Sequence, residues 1–115
     1  MKILLTGANG YIGTRLLPRL IREGHEVYAL VRSRYRIETS QKLHPQLHVI
    51  EADLLDPSSL LQIPEDIDVA YYLVHSMSYS PTFSELEATS AKHFLHRLEN
   101  TQAKQIIYLG GLSNE

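Results

Sequence analysis

Three glycines near the amino terminus have a spacing that suits the binding of a phosphate group. Gly7, Gly10 and Gly13 follow a short apolar run, and an amphipathic helical pattern begins at Tyr11. Glycines so placed allow a tight turn, a close backbone approach to a pyrophosphate, and close packing of helix on strand. The free N–H groups and the dipole of the first helical turn attract the anion. The spacing predicts a dinucleotide-binding turn, the alternative being an ordinary glycine-rich turn.

The residues after the second predicted strand indicate which dinucleotide is bound. In NAD-preferring sites an acidic residue about twenty positions past the glycines accepts a hydrogen bond from the ribose 2′-OH. Here Arg32 occupies that place and Ser33 follows it. A guanidinium beside a hydroxyl binds a 2′-phosphate through charge-assisted hydrogen bonds, whereas a carboxylate would repel it. We therefore predict NADP(H), with NAD as the alternative. Arg32 as a solvated surface charge is the other interpretation.

The histidines are the remaining residues whose side chains could bind a ligand or take part in catalysis. His75 follows the fourth predicted strand, where it would donate to a ribose or a substrate, or else pack against loop backbone. His93 and His96 lie three apart on a predicted helix, a spacing that can serve a pair of metal ligands. No third ligand accompanies them, so we predict no metal site.

Alternating strand and helix patterns must position these residues. The alternation predicts an α/β fold with a doubly wound parallel sheet of strand order 3-2-1-4-5, truncated after strand five. Ligand should lie across the carboxyl ends of strands one and four. The predicted strands are Lys2–Thr6, Glu26–Val31, Leu47–Glu51, Val69–Val74 and Gln105–Leu109. The predicted helices are Tyr11–Glu23 with a C′ glycine at Gly24, a weak helix at Tyr35–Leu43, a short one from Asp56-Pro57 through Leu61, and a longer one with a Thr82–Glu85 capping box.

Two apolar stripes should face the core. The first helix carries Ile12, Leu16, Leu17, Leu20 and Ile21, and the longer helix carries Phe83, Leu86, Ala91, Phe94, Leu95 and Leu98.

Composition limits the function classes. A length of 115 residues and 43% hydrophobic residues suit one globular domain. A net charge of −2 without a basic run gives no support for nucleic-acid or membrane-surface binding. No cysteine is present, which excludes a thiolate nucleophile and a cysteine-based zinc site. No apolar run is long enough to span a bilayer, and the amino terminus does not resemble a signal peptide, so we expect a cytoplasmic protein.

The chain stops at Glu115, soon after the fifth predicted strand. A doubly wound enzyme would continue with a further helix, a further strand and substrate-binding elements. We therefore expect residues 1–115 to be an NAD(P)-binding Rossmann domain from the N-terminal part of a longer protein, the alternative being a naturally minimal domain. The exposed edge of strand five is an association hazard, which favours a homodimer through that edge.

Four segments together resemble a known superfamily. They read TGANGYIG at 6–13, ADL at 52–54, YYLVHSM at 71–77 and IYLGGL at 107–112. With them the whole chain resembles the extended and atypical short-chain dehydrogenases/reductases, most closely the NmrA-like and NAD(P)H-binding epimerase-related members. The resemblance implies that the pyrophosphate is held by Gly7, Gly10 and Gly13 with the backbone of Tyr11 and Ile12, that Asp53 followed by Leu54 contacts the adenine, and that Val74 and His75 line the ribose and nicotinamide side.

The sequence departs from the catalytic members of that superfamily. None of its seven tyrosines has a lysine four residues further on, and Gly110-Gly111 replaces the strand-five serine or threonine. We therefore predict that this chain alone turns over no substrate. Three hypotheses follow: the coenzyme-binding part of an NADP-dependent reductase or dehydratase-like enzyme, a non-catalytic dinucleotide-sensing regulatory domain, and a fragment that folds but binds coenzyme poorly.

Overall fold

A five-stranded parallel sheet forms the centre of the molecule, with the order β3-β2-β1-β4-β5. The computed structural model describes residues 1–7, 11–32, 45–73 and 81–108, with only the backbone of Tyr11 and of residues 81–84. The elements are β1 (Lys2–Thr6), α1 (Tyr11–Arg22), β2 (Glu26–Val31), β3 (Leu47–Glu51), the 3₁₀ helix η1 (Pro57–Gln62), β4 (Val69–Tyr72), α2 (Pro81–Leu98) and β5 (Gln105–Tyr108). All four strand pairings are parallel, which confirms the doubly wound α/β fold. The predicted helix at 35–43 lies outside the described residues.

Side chains alternate along each strand and form one core on each face of the sheet. The first face packs with α1 and contains Ile3, Leu5, Leu17, Leu20, Ile21, Val27, Ala29, Val31, Leu47 and Leu73. The second face packs with η1 and α2 and contains Leu4, Leu30, Ile50, Ala52, Leu60, Ile63, Ile67, Ala70, Tyr72, Phe94 and Leu98. The two central strands, β1 and β4, therefore pack against other side chains on both faces of the sheet.

Helix α1 ends at Arg22, one residue before its predicted bound, and Gly24 takes the C′ position that the sequence predicts. Gly24 has a φ of 92°, its N–H donates to the Ile21 carbonyl at 3.0 Å, and the His25 N–H donates to the Leu20 carbonyl at 3.2 Å. These two bonds form a Schellman motif, which requires a left-handed residue at this position. The prediction that Ile12 faces the core is wrong, because Ile12 is 38% exposed in the first turn of α1, at the rim of the sheet.

Helix α2 buries a narrower stripe than the sequence predicts. Phe94 and Leu98 are buried, but Leu86 and Leu95 are 43% and 48% exposed. These two leucines lie roughly 80–100° around the helix from Phe94, on either side of the buried stripe, and so escape the sheet. The helix begins at Pro81, so Thr82 lies within its first turn and not at the N-cap.

A buried tyrosine hydroxyl at the end of β4 makes this core less stable at high pH. The Tyr72 ring packs against Phe94 and Tyr108, with ring centroids 4.8 and 5.6 Å away. Its hydroxyl has no hydrogen-bond partner among the described residues. Burial, reinforced by the neighbouring Tyr108 and Glu87, raises the pKa of Tyr72 from 10.0 to about 12.

We expect Tyr72→Phe to weaken the alkaline loss of stability. Since the folded chain keeps the Tyr72 proton to higher pH than the unfolded chain, its contribution is fully present below about pH 10 and is lost towards pH 12. The loss is on the order of 2 kcal/mol. Urea unfolding at stepped pH should show a shallower alkaline decline in the variant, with little change at neutral pH, where only an unpartnered hydroxyl is removed. Identical declines in both proteins would contradict this account.

Candidate functional site

The carboxyl ends of four strands lie side by side along one edge of the sheet. Thr6 pairs with Leu30 on one side and with Tyr72 on the other, and Leu30 pairs with Ile50. The chain winds from β1 towards β2 and β3 in one direction and towards β4 and β5 in the other. In open α/β sheets a crevice opens at the carboxyl edge where the winding reverses, here between β1 and β4.

Gly7, the first residue of the glycine motif, lies at the centre of this edge. Gly7 follows β1 directly and has a φ of 92°, a conformation that L side chains rarely adopt. Helix α1 begins four residues later at Tyr11, and no acidic residue lies in its first turn. Gly13 is buried within α1. The free N–H groups and the positive dipole end of α1 therefore face the carboxyl edge of the sheet without a competing carboxylate. Gly10 lies outside the described residues.

A buried hydroxyl lies one residue before Gly7. Thr6 is 1% exposed, and its Oγ1 has no hydrogen-bond partner among the described residues. The Thr6 carbonyl accepts a hydrogen bond from the Leu73 N–H at 2.9 Å, which continues the pairing of β1 with β4 past Tyr72. Val74 and His75, the next residues, lie outside the described part of the chain.

The end of β2 presents a cation at the same edge. Val31 is buried and its carbonyl accepts from the Ala52 N–H at 2.9 Å, whereas the next residue, Arg32, is exposed. Within the described ranges no ion pair engages Arg32. The guanidinium is thus available to an anion, and Ser33 lies outside the described residues.

The segment after β3 forms a closely bonded turn. Asp53 is half-buried, its Oδ1 accepts from the Leu55 N–H at 2.9 Å, and its own N–H donates to Ser59 Oγ at 3.0 Å. Among the described residues, no hydrogen bond or ion pair engages the other carboxylate oxygen, Oδ2. Leu54 packs against the second core. Asp56 caps η1 by accepting from the Ser58 N–H at 3.2 Å, as its sequence predicts.

Two side chains of α2 that the sequence did not mark for this edge hold the same segment. His93 Nδ1 lies 2.7 Å from the Leu54 carbonyl oxygen. Arg97 donates from Nε to the Leu60 carbonyl at 3.1 Å and from Nη2 to the Ile63 carbonyl. The two side chains are four apart and so share one face of the helix, which is the only local signal in the sequence.

The arrangement leaves metal binding without support in the described ranges. His93 is already bonded to backbone, and His96 is exposed on another side of α2. No group of three or more histidine, aspartate or glutamate side chains among the described residues could hold a metal ion. The described helices are also too short or too polar to cross a bilayer.

A second polar group lies at the opposite, amino edge of the sheet. Lys2 forms an ion pair with Asp66, and this hydrogen bond raises the pKa of Lys2 and lowers that of Asp66. His48 Nε2 lies 2.6 Å from a Glu26 carboxylate oxygen, and the His48 ring stacks on Tyr28 with centroids 4.6 Å apart. These polar groups pair with one another, so we assign the amino edge a structural role in joining neighbouring segments of the sheet.

The strand order, the left-handed glycine after β1 and the helix N-terminus facing the carboxyl edge define a dinucleotide-binding domain of the Rossmann type. Residues 3–112 match the NAD-dependent epimerase/dehydratase family, and the chain belongs to that family. The resemblance to the extended short-chain dehydrogenases/reductases is thereby confirmed.

Curated relatives include reductases that are longer than this chain. An uncharacterized protein of Saccharomyces cerevisiae is 29% identical over 113 residues, which cover 96% of this chain and 38% of the yeast protein. The 2-alkyl-3-oxoalkanoate reductase of Stenotrophomonas maltophilia is 35% identical over 77 residues, covering 63% of this chain and 21% of the reductase. The chain therefore spans well under half the length of these relatives.

Solved structures share the fold. A UDP-galactose 4-epimerase superposes with a TM-score of 0.76 at 21% identity, covering 94% of this chain and 37% of the epimerase. The yeast methylglyoxal/isovaleraldehyde reductase Gre2, solved with NADPH, superposes with a TM-score of 0.75 at 18% identity, covering 94% of this chain and 36% of the reductase.

Proposed function

We propose that this chain binds NADP(H) across the carboxyl edge of its sheet. The observation that carries the proposal is the left-handed Gly7, which has a φ of 92° directly after β1, with helix α1 beginning four residues later. The exposed Arg32 follows β2 and the half-buried Asp53 follows β3, the two strands on one side of Gly7. One anion-binding helix terminus, one cation and one carboxylate along a single edge match the pyrophosphate, 2′-phosphate and adenine of the coenzyme.

Each site residue has a part in this proposal. The pyrophosphate would lie against Gly7, Gly10 and Gly13 and the backbone of Tyr11 and Ile12. Arg32 and Ser33 would bind the 2′-phosphate, and Asp53 with Leu54 would contact the adenine. Val74 and His75 would line the ribose and nicotinamide side. When bound, the coenzyme supplies hydride transfer, while the protein supplies position and electrostatics.

We infer further that the chain is the coenzyme-binding part of a longer reductase or epimerase-like protein. The reductases and the epimerase described above are all longer, and the chain covers 38% of one relative and 21% of another. Because no Tyr-x-x-x-Lys pair occurs in residues 1–115, the chain alone is expected to turn over no substrate. Gly110-Gly111, in place of the strand-five serine or threonine of the catalytic members, favours the second candidate, a non-catalytic NAD(P)-sensing domain of the NmrA-like kind.

The coenzyme preference is tested by titrating the purified chain with NADPH and NADH. We expect NADPH to bind at least about tenfold more tightly, since a charge-assisted hydrogen bond contributes about 1.5–3 kcal/mol. Arg32→Asp should remove that preference by repelling the 2′-phosphate. Arg22→Asp makes the same charge change at an exposed residue at the far end of α1, and should leave the preference intact.

The outcomes separate the parts of the proposal. Equal affinity for both coenzymes in all three proteins would remove Arg32 from the site and, with it, the NADP preference. Binding of neither coenzyme by the unmodified chain would overturn the dinucleotide function itself.

A further inference from the structure

The turn that carries Asp53 and Leu54 is fixed from the side by helix α2. His93 reaches the Leu54 carbonyl at 2.7 Å across 39 residues of sequence. One helical turn further on, Arg97 bonds the Leu60 and Ile63 carbonyls. Phe94 and Leu98, on the adjoining face of α2, pack in the same core as Leu60 and Ile63. Segment and helix are thus joined by polar and apolar contacts together.

The chemistry of this contact assigns the histidine proton. A backbone carbonyl can only accept, so Nδ1 of His93 must carry the hydrogen. The bond persists whether or not the second ring nitrogen is protonated. It fixes the carbonyl of the residue directly after Asp53, with which the Asp53 carboxylate shares a turn.

Three hydrogen bonds hold the turn that carries the Asp53 carboxylate, and one of them involves the carboxylate itself. Ser59 Oγ receives the Asp53 N–H at 3.0 Å, the Leu55 N–H donates to Oδ1 at 2.9 Å, and His93 holds Leu54 between them. No hydrogen bond or ion pair among the described residues involves the other oxygen, Oδ2. A carboxylate held in this way is preorganised to accept from an amino group of a ligand.

We propose that His93 is a positioning residue for the adenosine end of the coenzyme. It acts through the Leu54 carbonyl to keep Asp53 and Leu54 in their binding arrangement, without touching the ligand. The inference rests on the proposed dinucleotide function, but its structural half, the fixing of the turn, stands on the hydrogen bonds alone. Replacing the histidine should therefore affect ligands that contain adenosine and spare those that lack it.

The first measurement needs no ligand. Amide hydrogen exchange at Leu55, whose N–H is bonded to Asp53, should become about threefold to tenfold faster in His93→Leu, as expected for one lost neutral hydrogen bond. The Leu5 amide in β1 should keep its exchange rate relative to global unfolding. His93→Asn, whose side-chain N–H can take the place of Nδ1–H, should restore slow exchange at Leu55. His96→Leu makes the same substitution at an exposed position of α2 and should change nothing.

The second measurement uses three probes: NADPH, AMP and nicotinamide mononucleotide. In His93→Leu the affinities for NADPH and AMP should fall by the same factor, about threefold to tenfold, while that for nicotinamide mononucleotide stays constant. His93→Asn should recover both affinities.

The two measurements separate the possible failures. Unchanged Leu55 exchange in His93→Leu overturns the positioning role whatever the coenzyme does. Faster exchange together with unchanged NADPH and AMP affinities overturns the link from the turn to the ligand. Faster exchange in a chain that binds neither NADPH nor AMP overturns the proposed function, and the adenosine role with it, while leaving the fixing of the turn standing.

Discussion

Phe94→Ala is expected to lower the free energy of unfolding by about 3–5 kcal/mol. Phe94 is 1% exposed, and its ring contacts that of Tyr72 with centroids 4.8 Å apart. Together with Leu98 of the same helix, it packs in one core with Leu60 of η1, with Ile63 directly after η1 and with the sheet. Truncation removes both the transfer free energy of the ring and its contacts, and leaves a cavity between three elements. Since the whole free energy of unfolding of a domain is only about 5–15 kcal/mol, this loss is severe.

Urea denaturation measures this effect, with Leu95→Ala as the matched control. Leu95 is the next residue of the same helix but is 48% exposed, so its truncation should cost no more than about 1 kcal/mol. Because α2 also carries His93 and Arg97, Phe94→Ala should loosen the segment after β3 as well. A loss below about 1 kcal/mol for Phe94→Ala would show that α2 does not pack on the sheet as described.

Gly7→Ala is expected to weaken coenzyme binding by at least about tenfold, which corresponds to 1.4 kcal/mol, and to lower stability as well. Gly7 has a φ of 92° between the last residue of β1 and the turn that leads to α1. A Cβ at this φ costs about 1–2 kcal/mol, and the chain relieves the strain by moving the turn. The helix N-terminus would then no longer be aligned with the end of β1.

Gly24→Ala provides the control for backbone strain. Gly24 has the same φ of 92°, lies at the other end of α1, and has no atom within 4 Å of an added Cβ. Both variants should therefore lose similar stability, measured by thermal unfolding, while NADPH titration should show weaker binding in Gly7→Ala alone. Equal weakening in both variants would attribute the effect to stability and would remove the Gly7 turn from the site.

Local patterns in the sequence were sufficient for most of the fold. The bounds predicted for β1, β2 and β3 agree with the structure, because each strand is a short run rich in apolar residues that gives way to glycine or polar residues. Gly24 and Asp56 were likewise predictable from residue type alone. Gly24 can adopt the left-handed conformation that ends α1, and the Asp56 carboxylate can cap η1. Strand order followed from the handedness of the crossovers.

The contacts made by α2 could not be predicted in the same way. Leu86 and Leu95 have the side chains of core residues, yet the single sheet face under α2 accommodates only the stripe through Phe94 and Leu98. His93, considered in the sequence with His96 as a metal-ligand pair, instead bonds a carbonyl 39 residues away. Partners so distant in sequence are determined by the rotation of the helix about its axis, which a helical pattern leaves undefined within about one residue step.

The central place of β1 has a consequence for how the chain is made. Although β1 emerges first during synthesis, its neighbour on one side is β4. The Lys2 N–H, in the same way, donates to the carboxylate of Asp68, which lies 66 residues later in the chain. Such distant pairings carry a loop-closure cost before they contribute any stability. Until β4 has left the ribosome, β1 can pair only with β2, and the other edge of β1, with its unpaired N–H and C=O groups, stays open to chaperones.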